Sequence, residues 1–470
     1  MAQVNINIKG MSVNGAGKRI ELYRYSDPFT QQEVLLDSMT IDENSEFHLK
    51  CFANYPTLMF LQIENYSQSF FVEPGRTYEI YIQRFDWNID EKKNIYLSPE
   101  VLPLEFVKMP KDDINALATR FDYLVDSFLV ANKYNFDIKF RPQKRYFDTL
   151  TMLINKNLPD GENEFFNRYK KYHLATLKYN LRFASRKTMV EEFIKNQPIM
   201  YYDENYMMLL TTLFANSVSQ GNKYVTVEQM SRWVDNGNLF MMLDSLGTDP
   251  LLRNEQLREF VVLQAMKEAH ENTRYYDRVK VRKMIEKIAN TTKFKDHRKL
   301  ALNLLKECGR MECGSKVETF YLPDVDKHLV ALDDFEHKWI YLSFIRVGDP
   351  NSLREIETLA HFKDSVYAKC TNVEFITIVC DREFQKMYHF LKNSRYGDRY
   401  DWTWLHFDND FKLLEEYEVV SYPTFMLINP DGKLHYTVTP TPASGFLLSP
   451  PWEPKKKDEP KKRDFFLNNY

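Results

Sequence analysis

A chain of 470 residues, at ~100–200 residues per domain, has room for roughly two to four domains. Its formal net charge of −3 removes charge balance as a reason to bind nucleic acid or an anionic membrane, and no apolar run approaches the ~20 residues of a spanning helix. Apolar residues, at 44%, suffice for sizeable cores, whereas 14 glycines are few for glycine-dense all-β or phosphate-loop architectures.

Met1-Ala2-Gln3 runs straight into alternating Val4-Asn5-Ile6-Asn7-Ile8 without a secretory apolar region, so a start just downstream of a removed signal peptide is as well supported as a natural one. The segments "VNINIKG", "KRIELYRY", "EVLLDSMTID", "EFHLKCF", "TLMFLQIE", "QSFFVEPG" and "TYEIYIQRF" alternate with period two and are rich in Val, Ile, Tyr and Phe. Asn14-Gly15, Asp27-Pro28, Asp42-Glu43-Asn44 and Pro74-Gly75 punctuate them, which predicts a small antiparallel β-sandwich over residues 1–104. No chemistry collects in it.

From 105 to 313 apolar residues recur at three- and four-residue spacing, as in "DDINALATRFDYLVDSFLVANKY", "ENEFFNRYKKYHLATLKYNLRFASRKTMVEEFIKN" and "RNEQLREFVVLQAMKEAHEN", and Asp or Asn stands ready as a cap before several of them. This predicts an α-helical domain. Its stripes of Met207, Met208, Phe240, Met241 and Met242 read as core rather than as a ligand pocket.

From 314 to 448 the pattern is β/α alternation: two strands around an Asp324-Asp326 turn, the apolar strand Tyr341-Leu342-Ser343-Phe344-Ile345, a helix at 352–369, a strand at 373–379 and a helix at 383–393. A loop with Trp402 and Trp404 follows, then a short helix, a turn at Pro423, a strand, an Asn429-Pro430-Asp431-Gly432 turn and a last strand. Residues 449–470, with Lys455-Lys456-Lys457 and Lys461-Lys462-Arg463 among prolines, read as a solvated tail. The fold class expected is therefore multidomain α+β.

Five cysteines are scattered without C-x-x-C or zinc-ligand spacing, ten histidines occur singly, and no phosphate-loop or nucleophile-elbow motif is present, so no metal or cofactor is expected. Cys308 and Cys313 are the one pair close in sequence and hence the candidate redox pair. Cys370 and Cys380, at the ends of a helix and a strand, read as buried inert thiols.

"LPDVDKHLVALDDFEHKWIYLSF" at 322–344 and "VVSYPTFMLINPDGKL" at 419–434, in this order of elements, resemble the thioredoxin fold, and within it the TlpA/ResA-like branch of bacterial cell envelopes. The resemblance covers 314–448, and the preceding β and helical stretches resemble multidomain relatives of that branch. It implies a cis bond before Pro423 and places the family's Cys-Pro-Pro-Cys on Asp349-Pro350-Asn351-Ser352, so both cysteine positions are replaced. Thioredoxin-type exchange needs a thiolate to attack a disulfide and a second thiol to resolve the mixed disulfide. Asp349 supplies a charge but no sulfur, and the Ser352 hydroxyl has no adjacent histidine to activate it. The same residues make a sound helix start: Asp349 as N-cap, Pro350 at the first position, and Ser352 with Glu355 at capping-box spacing in a shifted frame.

What the resemblance leaves is a binding surface of Tyr422, Pro423, Pro350 and Trp404, flanked by Trp402, Ile345 and Val347, suited to an extended protein or peptide segment. The reading it implies is a redox-inactive thioredoxin-like module in the periplasm or cell envelope of a Gram-negative bacterium. Its partner is then a protein or peptide rather than nucleic acid, with membrane contact only through the basic tail or a removed lipid anchor. The alternative is a thiol-disulfide oxidoreductase using Cys308 and Cys313.

Overall fold

Glu46–Ala53 alternates exposed and buried side chains along its whole length, so Phe47, Leu49, Cys51 and Ala53 all point into one core. The computed structural model describes residues 4–84, 87, 100–137, 142–195, 197–365, 372–392, 400–436, 438–448 and 450–452. In it that strand edges a four-stranded sheet ordered Glu46–Ala53, Val4–Ser12, Thr77–Ile82, Leu104–Phe106. A five-stranded sheet, ordered Glu33–Thr40, Arg19–Tyr25, Thr57–Ile63, Tyr66–Val72, Glu100–Val101, packs against it. Ile6, Ile8 and Ile80 from the first sheet share a core with Leu22, Met59 and Leu61 from the second, which makes the pair a sandwich. Pairing is antiparallel except that Val4–Ser12 lies parallel to Thr77–Ile82 and Tyr66–Val72 parallel to Glu100–Val101. Alternation is the same in both kinds of ladder, so the sequence pattern does not distinguish them. Leu104–Phe106 carries the sandwich past residue 104, where the sequence pattern put its end.

The helical stretch begins where Asp113 accepts from the Asn115 N–H, and Asn163, Asp203, Asn254 and Asp277 cap later helices in the same way. The long periodic run at 162–196 is two elements. Glu164–Asn180 ends before Arg182, which takes a left-handed φ of 61°, and Arg186–Met189 then widens into a π turn over Val190–Ile194. Of the expected core stripe, Met207 and Met242 are buried, whereas Met208, Phe240 and Met241 are exposed, because neighbours on a helix face different ways.

Sandwich and helices form one compact unit, residues 1–309. The Asn115 side chain accepts from Phe71 N at 2.7 Å and donates to Phe71 O at 2.8 Å, as a paired strand would. Phe29, in the loop after Arg19–Tyr25, sits in the helical core with its ring 5.1 Å from that of Phe260. Asn303 Nδ2 donates to the Asp27 carboxylate at 2.8 Å.

The second unit spans 310–470. After the hairpin Tyr321–Pro323 with Leu329–Ala331, a four-stranded sheet is ordered Thr403–His406, Val373–Val379, Trp339–Ile345, Thr424–Ile428. The first three strands are parallel and the last antiparallel. Thr403–His406 is thus an edge strand where the sequence reads as a loop. The central strand is covered on both faces, which explains an apolar run interrupted only by the buried Ser343. Tyr341 and Ile345 pack under helix Pro350–Ser365 with Ile356 and Leu359, while Phe344 meets Tyr417 on the other face at 5.4 Å. Among the described residues the chain then makes two single turns, Pro442–Ser444 and Phe446–Leu448. The core does not stop at 448: Trp452 is buried among Tyr341, Phe375 and Phe446, and its carbonyl accepts from Asn372 Nδ2 at 2.9 Å. Cys370 and the two lysine-rich clusters lie outside the described residues.

Candidate functional site

The central strand Trp339–Ile345 delivers the chain to the C-terminal end of the parallel ladder, the end at which open α/β sheets place ligands. Just beyond it, Val347 N–H donates to Asp381 Oδ2 at 2.7 Å and ties this loop to the end of the neighbouring strand. Asp349 then caps helix Pro350–Ser365: its Oδ2 accepts from Ser352 N at 2.8 Å and from Ser352 Oγ at 2.7 Å. Pro350 occupies the first helical position, where its missing N–H has no partner to lose. Ser352 is fully buried, and its Oγ accepts from Arg346 N–H at 3.4 Å. Glu355 forms no capping box with Ser352; its Oε2 accepts from Ala443 N–H at 2.8 Å and holds the 442–444 turn against the helix.

The Tyr422–Pro423 peptide bond is cis and leads directly into Thr424, which pairs with Phe344. Tyr422 turns its hydroxyl inward to the Cys380 thiol. The Arg346 guanidinium lies 5.1 Å from the Tyr422 ring centroid, a cation–π contact that links the loop before Asp349 to the loop at Pro423. Asp349, Pro350, Ser352, Tyr422 and Pro423 therefore share one end of the sheet. Trp404 does not join them: it is buried, its Nε1 donates to Tyr400 O at 3.1 Å, and its ring stacks 5.3 Å from that of Trp402. As part of a strand it alternates into the core, which a loop reading of 402–404 does not anticipate. Trp402 is half-buried and donates from Nε1 to Thr377 Oγ1 at 2.9 Å.

The chemistry available at this end is narrow. Cys380 is fully buried, and desolvation holds its thiol well above the usual range although Tyr422 and Arg346 pull it down. His406 is buried with both nitrogens engaged, Nε2 donating to Asp381 O at 2.7 Å and Nδ1 accepting from Asp408 N–H at 3.0 Å. Burial lowers its pKa and keeps it neutral, and with no free nitrogen it cannot serve as a base for Ser352. Arg346, Asp381 and His406 went unmarked in the sequence; the available signal is that they stand at or just past the ends of strands in the parallel ladder.

Cys308 and Cys313 fall in different compact units, and both are free thiols. Burial pushes the Cys308 thiol up to about 11, while Cys313 is exposed with Sγ 3.0 Å from His435 O. Among the described residues no group of three His, Cys, Asp or Glu could hold a metal, and no helix is long and apolar enough to cross a membrane.

Residues 337–434 match the family model described as thioredoxin-like. A curated relative, the thiol-disulfide oxidoreductase ResA of Bacillus subtilis, is 28% identical over 132 residues, which is 27% of this chain and 68% of that protein. Among solved structures, the thioredoxin domain of a thiol-disulfide oxidoreductase from Bacteroides vulgatus is 22% identical with a TM-score of 0.23, and covers 26% of this chain and 86% of its own. A thiol-disulfide oxidoreductase from Bacteroides fragilis is 20% identical with a TM-score of 0.24, covering 28% of this chain and 97% of its own. The C-terminal domain is thus thioredoxin-like.

Proposed function

We propose that this protein is a redox-inactive thioredoxin-like binding module of the Gram-negative cell envelope, which holds an extended protein or peptide segment beside the cis-Pro423 loop. The observation that carries this reading is the closed pair at the helix start, where the Asp349 carboxylate accepts from the Ser352 hydroxyl at 2.7 Å; the resemblance aligns these two positions with the family's two thiols. Disulfide exchange forms a sulfur–sulfur bond to the attacking residue and expels a thiolate. Neither an aspartate nor a buried serine can make that bond.

The backbone at Tyr422 is what the fold retains for binding, since an extended segment can add to a strand edge through main-chain hydrogen bonds. Assignment to the envelope rests on the resemblance to the TlpA/ResA-like branch. Exchange through Cys308 and Cys313 is disfavoured, because they belong to different units and one thiol is buried with its pKa raised.

The test is reduction of a model protein disulfide by dithiothreitol, with native protein compared with the Asp349→Cys, Ser352→Cys double variant. The native chain is expected to leave the rate at background and the double variant to raise it. Acceleration by the native protein would overturn the reading, and silence from both would remove the alignment of 349–352 with the family's active site.

A further inference from the structure

The helical part of residues 1–309 contains a cleft of about 1030 Å³, at the upper end of the ~300–1,000 Å³ typical of ligand sites. One wall comes from residues between 186 and 195 and from 197–199, and includes the π turn Val190–Ile194, a distortion that recurs at functional sites. The facing wall is 249–257, and Val190, Ile194, Leu251 and Leu257 make an aliphatic floor. Arg186, Lys187, Lys195, Lys223 and Arg253 line it against the two carboxylates of Glu191 and Asp249. Asp249 is already committed, since its Oδ1 accepts from Leu251 N at 2.9 Å. The cleft is therefore positive in a chain whose net charge is −3. Among the described residues Arg186 Nε is buried without a hydrogen-bond partner.

A buried polar chain runs to the same wall. Glu259 Oε1 lies 2.7 Å from His297 Nδ1, His297 Nε2 lies 2.6 Å from Tyr201 Oη, and Gln256 Nε2 donates to Tyr201 Oη at 3.1 Å. Glu259 thus engages one ring nitrogen of His297 and Tyr201 the other, and the tyrosine oxygen accepts from the Gln256 amide. The carboxamide of Gln256, which lines the cleft, is thereby held in one orientation.

We infer that this cleft binds an extended acidic peptide segment, its carboxylates on the rim cations, its aliphatic side chains on the floor and its backbone on the Gln256 carboxamide. A sugar polymer fits less well. Sugar faces want open aromatic rings, and among the lining residues the one aromatic, Tyr224, has Lys223 Nζ 4.7 Å over its ring. The inference is independent of the thioredoxin-like domain.

The test is fluorescence anisotropy of a labelled peptide of alternating glutamate and leucine, with the full chain, at low and high salt. Saturable binding that weakens with salt is expected, together with affinity roughly tenfold lower in Arg186→Glu, Arg253→Glu. Arg253 is exposed and Arg186 half-buried, and an unchanged urea midpoint would show the variant folded. A Gln256→Leu variant should lose affinity at both salt levels. No saturable binding, unchanged affinity in the double variant, or equal affinity for a glutamine–leucine peptide would overturn the inference. Tighter, charge-dependent binding of polyglucuronate in competition with the peptide would overturn it in favour of an anionic polymer.

Discussion

Asp349 and Ser352 behave as a local capping unit with a long-range anchor. The carboxylate sits at the positive end of helix Pro350–Ser365, worth ~0.3–1 kcal/mol, and a side-chain cap contributes about 1 kcal/mol more. Removing the Ser352 hydroxyl deletes the 2.7 Å bond to Asp349 and the acceptor of the Arg346 N–H. Ser352→Ala is therefore expected to destabilise the thioredoxin-like unit by about 1 kcal/mol in urea unfolding, and no measurable change would deny the hydroxyl that role. This cap was legible in the sequence because capping involves residues three apart. The contacts Glu355–Ala443, Tyr422–Cys380 and Arg346–Tyr422 were not, because each joins residues brought together by the sheet.

At the scale of elements, Trp339–Ile345 was readable as a central strand from its nearly continuous apolar run, and Glu46–Ala53 as a sandwich strand from its alternation. Thr403–His406 was not, because four residues, Thr-Trp-Leu-His, are too few to show a clear period. The end of the domain was misjudged for a related reason: Pro450-Pro451-Trp452 looks like part of a proline-rich tail, yet the indole closes the core over Tyr341. Trp452→Ala should cost ~3–5 kcal/mol in that unit, read as a lower urea midpoint of its tryptophan signal. A loss below about 1 kcal/mol would mean that the segment is dispensable to the core.

For the whole molecule, the sandwich and the helices of residues 1–309 share interior rather than touching as beads. Glu204 lies in the seam, lining a small pocket with Arg24, Asp27, Tyr55 and Tyr202. Burial first, and the Asp203 charge second, raise its carboxyl to about 7. A carboxyl raised on folding adds stability that is full below its unfolded value and lost as pH rises through about 7. Glu204→Gln should remove that dependence and exceed native stability near pH 8 by roughly 1–3 kcal/mol, with little gain near pH 4. Parallel pH profiles for the two proteins would show that Glu204 stays solvated.

The sequence by itself determined the three kinds of segment, the caps of the helices, the thioredoxin-like order after residue 314 and the absence of thiols at 349 and 352. These depend on periodicity, on neighbours within one turn and on residue identity, all of which are local. Only the tertiary structure decided which strands pair in parallel, that Trp404 is core, that Cys308 is buried while Cys313 is exposed, that Trp452 belongs to the domain, and that a positive cleft opens beside a π turn. Those outcomes depend on which distant surfaces exclude water together, and no window along the chain contains that information.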